Sequence, residues 1–184
     1  STQSVNTIYL ENEKIIGHNT DIDGFEMAIK DTNYDVSKKK ILILGAGGVV
    51  SSIIYALYKM KVSKIFLCNR TKAKAENLKK LFKNLKIVDW GEVPYSDMII
   101  NATSVGLNKE DKLDLDFLKF NNAEFFYDII YNPKETNFLK NAKKLGKKSE
   151  NGRKMFIYQA VNAFKVWHKI EPENDKEVNR LLDK

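Results

Sequence analysis

Residues 40–50 read Lys-Ile-Leu-Ile-Leu-Gly-Ala-Gly-Gly-Val-Val, a short apolar run that closes on three glycines. Four consecutive residues of Ile and Leu suit a buried strand, and the glycines stop it. Residues 49–60 then place apolar side chains at Val50, Ile53, Ile54, Leu57 and Met60, which is a helical spacing. Strand, glycine turn and helix in this order make the opening unit of an α/β sheet, so this stretch decides the fold class.

The same alternation continues outward. Residues 64–68 form a second β-like run ending at Asn69-Arg70-Thr71, and residues 72–83 form a helix rich in Ala, Lys and Leu. A weak third strand falls at Lys86–Val88 and a fourth at Asp97–Asn101, followed by the loop Thr103-Ser104-Val105-Gly106. A fifth spans Glu124–Tyr131, closed by Asn132-Pro133, and residues 135–145 form the next helix. Such alternation predicts a parallel, doubly wound, Rossmann-like sheet with helices on both faces and right-handed crossovers. Before it lies a hairpin-like pair, Thr7–Leu10 and Ile15–Gly17, then a helix over 21–31 with Thr20 or Asp21 as its cap. After it come a long amphipathic helix over 153–168 and a short one over Asp175–Leu182.

Composition narrows the class. At 184 residues the chain is one domain in size, and 43% hydrophobic residues supply a core. No apolar run approaches the roughly 20 residues of a membrane span. The single cysteine, Cys68, excludes an internal disulfide framework and points to a cytoplasmic setting. The net charge of +7 raises nucleic acid as a partner. Only Arg70, Arg153 and Arg180 are arginine, however, and the lysines are spread along the chain, clustering only briefly at Lys38–Lys40 and Lys143–Lys148. Base readers favour the bidentate guanidinium on one face, so the charge reads as a solvated surface. Neither a nucleic acid nor a membrane partner is expected, and no metal is assigned.

Glycine after the first strand lets backbone N–H groups approach a pyrophosphate at a helix N-terminus. Gly45, Ala46, Gly47, Gly48 and Val49 are therefore the candidate phosphate cradle, with Val50 at the position of a third glycine. The end of the second strand tells one dinucleotide from the other. A carboxylate there would hold the ribose 2′-hydroxyl of NAD. This chain instead carries Asn69, Arg70 and Thr71, then Lys72 and Lys74. A guanidinium can pair bidentately with a 2′-phosphate, so NADP(H) is the expected cofactor.

These motifs, in this order, resemble the shikimate dehydrogenase family along almost the whole chain. Val5-Asn6-Thr7 is similar to its Val-Asn-Thr turn, and Gly17-His18-Asn19-Thr20-Asp21 with Gly24-Phe25 to its Gly-x-Asn-Thr-Asp-x-x-Gly-Phe segment. Gly45–Gly48 matches its phosphate turn, Asn69-Arg70-Thr71 its NADP-selecting triplet, and Asn101–Gly106 its Asn-x-Thr-x-x-Gly loop. Asp128–Pro133 and Asn151-Gly152 with Met155, Gln159 and Ala160 complete the set, followed by Phe164 and Trp167.

The resemblance implies reversible, NADPH-dependent reduction of 3-dehydroshikimate to shikimate, on the route to aromatic amino acids. Asp21 would be the carboxylate of the family's Lys–Asp catalytic pair and would also bind substrate, together with Asn6, Tyr131 and Gln159. Thr103 would join the cofactor cradle, and Ile129 and Gly152 would flank the nicotinamide. The chemistry is consistent with these residue types. A ketone receiving hydride needs a proton donor or positive charge at the developing alkoxide, and a polyhydroxylated ring needs short polar side chains to read it.

In that family about a hundred residues of substrate domain precede the Val-Asn-Thr turn, on domain-size grounds. The expected layout is therefore a substrate-domain tail over 1–20, an NADP-binding domain over 21–152 and returning helices over 153–184. The catalytic lysine would lie in the absent part, since no lysine here sits in the matching motif. Residues Met155, Phe156, Tyr158, Val161 and Phe164 of the long helix are expected to expose an apolar face. A quinate/shikimate dehydrogenase, a methylenetetrahydrofolate dehydrogenase and an NADP-binding module without turnover are the alternatives; Asn69-Arg70-Thr71 and Gln159 favour the shikimate branch. The partner expected is a small molecule, and the assembly a monomer or homodimer.

Overall fold

The computed structural model describes residues 2–173 and 180. The helix expected over Asp175–Leu182 lies outside the described residues, residue 180 apart. Six strands form one wholly parallel sheet: β3 (Lys40–Leu44), β4 (Lys64–Cys68), β5 (Lys86–Val88), β6 (Met98–Asn101), β7 (Phe125–Asp128) and β8 (Lys148–Glu150). Their spatial order is β5-β4-β3-β6-β7-β8, so the sheet is wound outward in both directions from β3. The order reverses between β3 and β6, where an open α/β sheet has its ligand crevice.

Alternation along each strand divides the core into two layers. Ile41 and Ile43 of β3 face one layer with Ile65, Leu67, Met98, Ile100, Phe125 and Tyr127. Helices α1 (Asp21–Lys30), α2 (Val50–Lys59), α3 (Lys72–Leu81) and α5 (Arg153–His168) each supply residues to that layer, Phe25, Ile53, Ala75 and Met155 among them. Leu42 and Leu44 face the other layer, which α4 (Asn137–Lys144) and the 3-10 turn Phe117–Phe120 cover with Phe138, Leu139, Ala142 and Phe120. Helices thus lie on both faces, as expected.

Several boundaries differ from the expected ones, each for a local reason. The strand expected over Glu124–Tyr131 ends at Asp128, because the Asp128 carboxylate captures the Ile130 N–H at 3.0 Å. Strand β8, Lys-Ser-Glu, has no apolar signal; it forms by pairing with the open edge of β7, Lys148 opposite Phe125. Thr20 is the N-cap residue of α1, as expected, but its side chain makes no capping hydrogen bond. Asn19, one residue earlier, satisfies the first free amide instead, its Oδ1 accepting from the Asp21 N–H at 3.0 Å. The hairpin forms from β1 (Thr7–Glu11) and β2 (Lys14–His18), separate from the main sheet.

The apolar face expected to be exposed on α5 is largely covered. Met155 is buried and Tyr158 packs against the main core layer. Phe156 stacks on Tyr131 at 4.4 Å, and Val161 and Phe164 are half-buried. The cover is α1, which can approach because Gly24 has no side chain. A Cβ there would lie 2.9 Å from the Gln159 backbone nitrogen. No helix among the described residues is long and apolar enough to cross a membrane.

Candidate functional site

The C-terminal ends of β3, β4, β6 and β7 open into adjoining clefts that share Gly47 as a wall. One, of about 280 Å³, lies between the glycine turn, Asn69–Thr71, Lys74, Trp90 and the Ala102–Val105 loop. The other, of about 510 Å³, lies between Gly47, Val49, Thr103, Leu107 and Ile129–Asn132. A third hollow, of about 580 Å³, adjoins the glycine turn between Thr2–Ser4, Ala46–Gly48, Ser51 and Lys74, and one of about 460 Å³ lies at the opposite end of the sheet beside Tyr34 and Val36. The hollows around the glycine turn, and not the one beside Tyr34, collect most of the cofactor residues singled out from the sequence.

Gly45 is fixed by the turn itself. Its φ of +106° suits glycine, and a Cβ would sit 2.6 Å from the Ala102 carbonyl oxygen. Its N–H donates to the Cys68 carbonyl at 2.7 Å, which ties the turn to the end of β4. Helix α2 begins at Val50 with Val49 as N-cap and no side-chain cap. The amides of Ala46, Gly47, Gly48 and Val49 therefore find no acceptor among the described residues. Such open N–H groups at the positive end of a helix dipole suit a phosphate. Val50 replaces the third glycine without strain, because its side chain is completely buried in the main core layer.

Beyond β4, Asn69 donates from Nδ2 to the Thr71 carbonyl at 2.8 Å and so shapes the loop. Arg70, Thr71 and Lys74 are exposed around the smaller cleft, and none of their side chains has a protein partner among the described residues. Two cations and a hydroxyl left unpaired beside open amides suit a 2′-phosphate. Lys72 behaves differently. It pairs with Asp89 at 3.2 Å and does not line the cleft.

Asn6, Thr20 and Asp21 form a second cluster. Asn6 Nδ2 donates to Asp21 Oδ1 at 2.9 Å and to Thr20 Oγ1 at 3.0 Å, while the Thr20 N–H donates to Asn6 Oδ1 at 2.9 Å. Partial burial raises the Asp21 carboxyl above its ordinary 3.8, and the Asn6 hydrogen bond opposes this. Because Asn19 accepts from the Asp21 N–H, the Asp21 carboxylate is not drawn into capping, and its Oδ2 has no hydrogen bond from the described residues. Gln159 meets α1 one turn further on, beside Gly24, and donates to the Phe156 carbonyl at 3.0 Å. Tyr131 stacks on Phe156 and lines the larger cleft, 43% exposed.

Gly152 and Ile129 touch. A Cβ on Gly152 would lie 1.9 Å from the Ile129 carbonyl oxygen, and the Gly152 N–H donates to Ile130 at 3.1 Å. Gly152 is thus a packing necessity that seats α5 against the loop after β7. Reasoning from the sequence left out Trp90, which walls the smaller cleft, and gave no site role to Asn101 and Asp128, the motif residues that form a buried pair beside Thr103 and Ile129. A polar residue closing each of two otherwise apolar strands was the available signal.

The comparisons accord with this geometry. The family model described as shikimate / quinate 5-dehydrogenase matches residues 26–134. A shikimate dehydrogenase (NADP(+)) of Pelagibacter ubique is 58% identical over 182 residues, covering 99% of this chain and 69% of that protein. The crystal structure of shikimate dehydrogenase from Aquifex aeolicus superposes with a TM-score of 0.84 at 40% identity, covering 94% of this chain and 64% of that one. A shikimate dehydrogenase solved in complex with NADP+ superposes with a TM-score of 0.86 at 35% identity, covering 99% and 67%. The chain therefore spans about two thirds of the length of these relatives. On the strength of these matches, the chain belongs to the shikimate/quinate 5-dehydrogenase family.

Proposed function

We propose that the chain is the cofactor half of an NADP(H)-dependent shikimate dehydrogenase, which interconverts 3-dehydroshikimate and shikimate. The observation that carries this is the set of unpaired groups at the sheet's C-terminal edge, the open amides of Ala46–Val49 beside Arg70, Thr71 and Lys74. They fit a pyrophosphate and a 2′-phosphate, and no carboxylate stands at the end of β4 to repel the latter. On this reading the cofactor supplies the hydride when bound.

The chain's own residues do the rest. Gly45–Val49 hold the pyrophosphate, Asn69–Thr71 with Lys74 the 2′-phosphate end, and Thr103, Ile129 and Gly152 shape the wall beside the nicotinamide. Lys72 acts one step removed, fixing Asp89 away from the cleft. Asp21, oriented by Asn6, receives a substrate hydroxyl on its free oxygen, while Tyr131 and Gln159 bound the ring. A carboxylate so placed also anchors and biases a neighbouring lysine. That lysine is assigned to a preceding substrate domain, of which residues 1–20 are the tail and toward which 153–184 return. The substrate is a small molecule, the setting cytoplasmic and the assembly a monomer or homodimer.

Calorimetric titration of the chain with NADP+ and NAD+, with shikimate oxidation assayed on the same sample, tests the reading. The expected result is clear preference for NADP+ and no turnover until the preceding domain is restored. Equal affinity for both nucleotides would overturn the cofactor assignment, and turnover by the 184 residues alone would overturn the half-enzyme assignment.

A further inference from the structure

Beneath the larger cleft lies a buried carboxylate to which the proposed chemistry gives no task. Asp128 ends β7 and stands directly opposite Asn101, which ends β6; neither has any solvent exposure. Asp128 Oδ1 accepts from Asn101 Nδ2 at 3.1 Å and from the Ile130 N–H at 3.0 Å, and Oδ2 accepts from Thr136 Oγ1 at 2.6 Å. Asn101 passes the restraint to the neighbouring loop. Its Oδ1 accepts from the Thr103 N–H at 3.1 Å and from Thr103 Oγ1 at 2.7 Å, and its Nδ2 donates to the Val105 carbonyl at 3.2 Å.

One buried pair thus holds the first residues of two separate loops, 102–105 and 129–131, which form facing walls of the cleft. Each loop is otherwise short of regular structure at that point. A buried carboxylate is costly unless donors surround it, and an apolar pair of similar volume would fill the same space. Retaining it makes sense where the spacing of the loops must be exact to a few tenths of an ångström.

We propose that Asp128, through Asn101, is a positioning residue that sets the gap between these loops and thereby the grip on the nicotinamide half of the cofactor. The inference rests on the NADP(H) reading above and adds a residue that touches neither cofactor nor substrate. It distinguishes two ends of the site. The adenosine end takes its charged groups, Arg70, Thr71 and Lys74, from the segment after β4; it shares the Ala102–Val105 wall but none of the 129–131 loop, so the gap between the two loops bears on the nicotinamide end.

The test compares NADP+ with 2′,5′-ADP, which ends before the nicotinamide half, by calorimetry on the unaltered chain and on Asp128→Asn and Asp128→Ala. In Asp128→Asn the amide oxygen keeps the Asn101 and Ile130 donors only by turning its N–H toward Thr136 Oγ1, a hydroxyl that must then accept instead of donate. Asp128→Asn keeps the volume, so it carries the test if the alanine variant does not fold. Both are expected to bind 2′,5′-ADP within twofold of the unaltered chain. NADP+ affinity is expected to fall about threefold in the asparagine variant and tenfold or more in the alanine variant. A parallel loss for both nucleotides, or no loss for either, would overturn the proposal and leave Asp128 a core residue only. If the unaltered chain binds neither nucleotide, the cofactor reading itself fails and the inference falls with it.

Discussion

At the level of single residues, what each group lacks is as informative as what it has. Arg70 stands exposed with no carboxylate partner among the described residues, beside a hydroxyl and a lysine that are also unpaired. Charge-assisted hydrogen bonds are worth about 1.5–3 kcal/mol each. Arg70→Asp should therefore weaken NADP+ binding by roughly 10- to 100-fold and strengthen NAD+ binding, as read by calorimetry. Unchanged selectivity would remove Arg70 from the site. Asp128 makes the opposite case, a carboxylate with three donors whose burial nevertheless pushes it from 3.8 up to about 6. The folded chain then binds a proton more tightly than the unfolded one. The contribution to stability is full below pH 4 and is lost as pH rises through about 6. The gap corresponds to roughly 3 kcal/mol. Urea unfolding of the chain and of Asp128→Asn between pH 7 and 4 should show the unaltered chain gaining on the variant by an amount of that order. Parallel curves would mean that the donors, and not burial, set the carboxyl.

At the level of elements, junctions between helices and strands decide where the site residues fall. Gly152 seats α5 on the loop after β7, and its absent side chain is what permits Ile129 to sit there. A methyl group 1.9 Å from a carbonyl oxygen forces backbone to move, so Gly152→Ala should cost about 1–3 kcal/mol or more. That lowers Tm by several degrees in a chain of this size. Gly48→Ala, with nothing within 4 Å of the added methyl, should leave Tm unchanged in the same scan. Equal melting of the two variants would refute the packing argument. This contrast also marks how far the sequence could be read. Strands β3 and β4 were legible because apolar runs ended in turn chemistry that also carries function. Strand β8 was not, because Lys-Ser-Glu acquires its conformation from the open edge of β7 and not from its own side chains. Nor could the sequence reveal that Asn19 reaches forward to the first free amide of α1, or that Gly24 lets α1 cover the apolar side of α5. The individual members of the Asn101 and Asp128 pair were visible, but their meeting depends on the register of two strands whose paired residues lie 27 positions apart in the chain.

At the level of the whole molecule, the cofactor and substrate ends rest on supports of unequal firmness. The glycine turn and the loops after β4, β6 and β7 spring from strands whose residues are almost all buried. Asn6 and Asp21 are held instead by the entry to the hairpin, whose two strands are mostly exposed, with Ile8, Leu10 and Ile15 all more than 60% accessible. Among the described residues its ties to the body include the Asn6 cluster, a bond from Asn19 to Ser52 at 3.0 Å, Trp167 Nε1 donating to the Ile8 carbonyl at 3.0 Å, and the Lys169 ammonium 5.0 Å from the Tyr9 ring centre. Two strands without a covered face are marginal by themselves. Opening such a unit exposes little apolar surface, so it should occur far below the global unfolding free energy. Native-state hydrogen exchange on the chain should show the amides of β1 and β2 opening at free energies at least about 2 kcal/mol below those of β3, β6 and β7. Saturating NADP+ should raise protection around Gly45–Val49 and in the sheet, by about 2.7 kcal/mol at a hundredfold excess over Kd, while leaving the hairpin nearly unchanged. Hairpin protection equal to that of β3, or rising with it on NADP+ addition, would show the two ends to be one cooperative unit. Asn6 would then fix Asp21 as rigidly as the sheet fixes the phosphate turn.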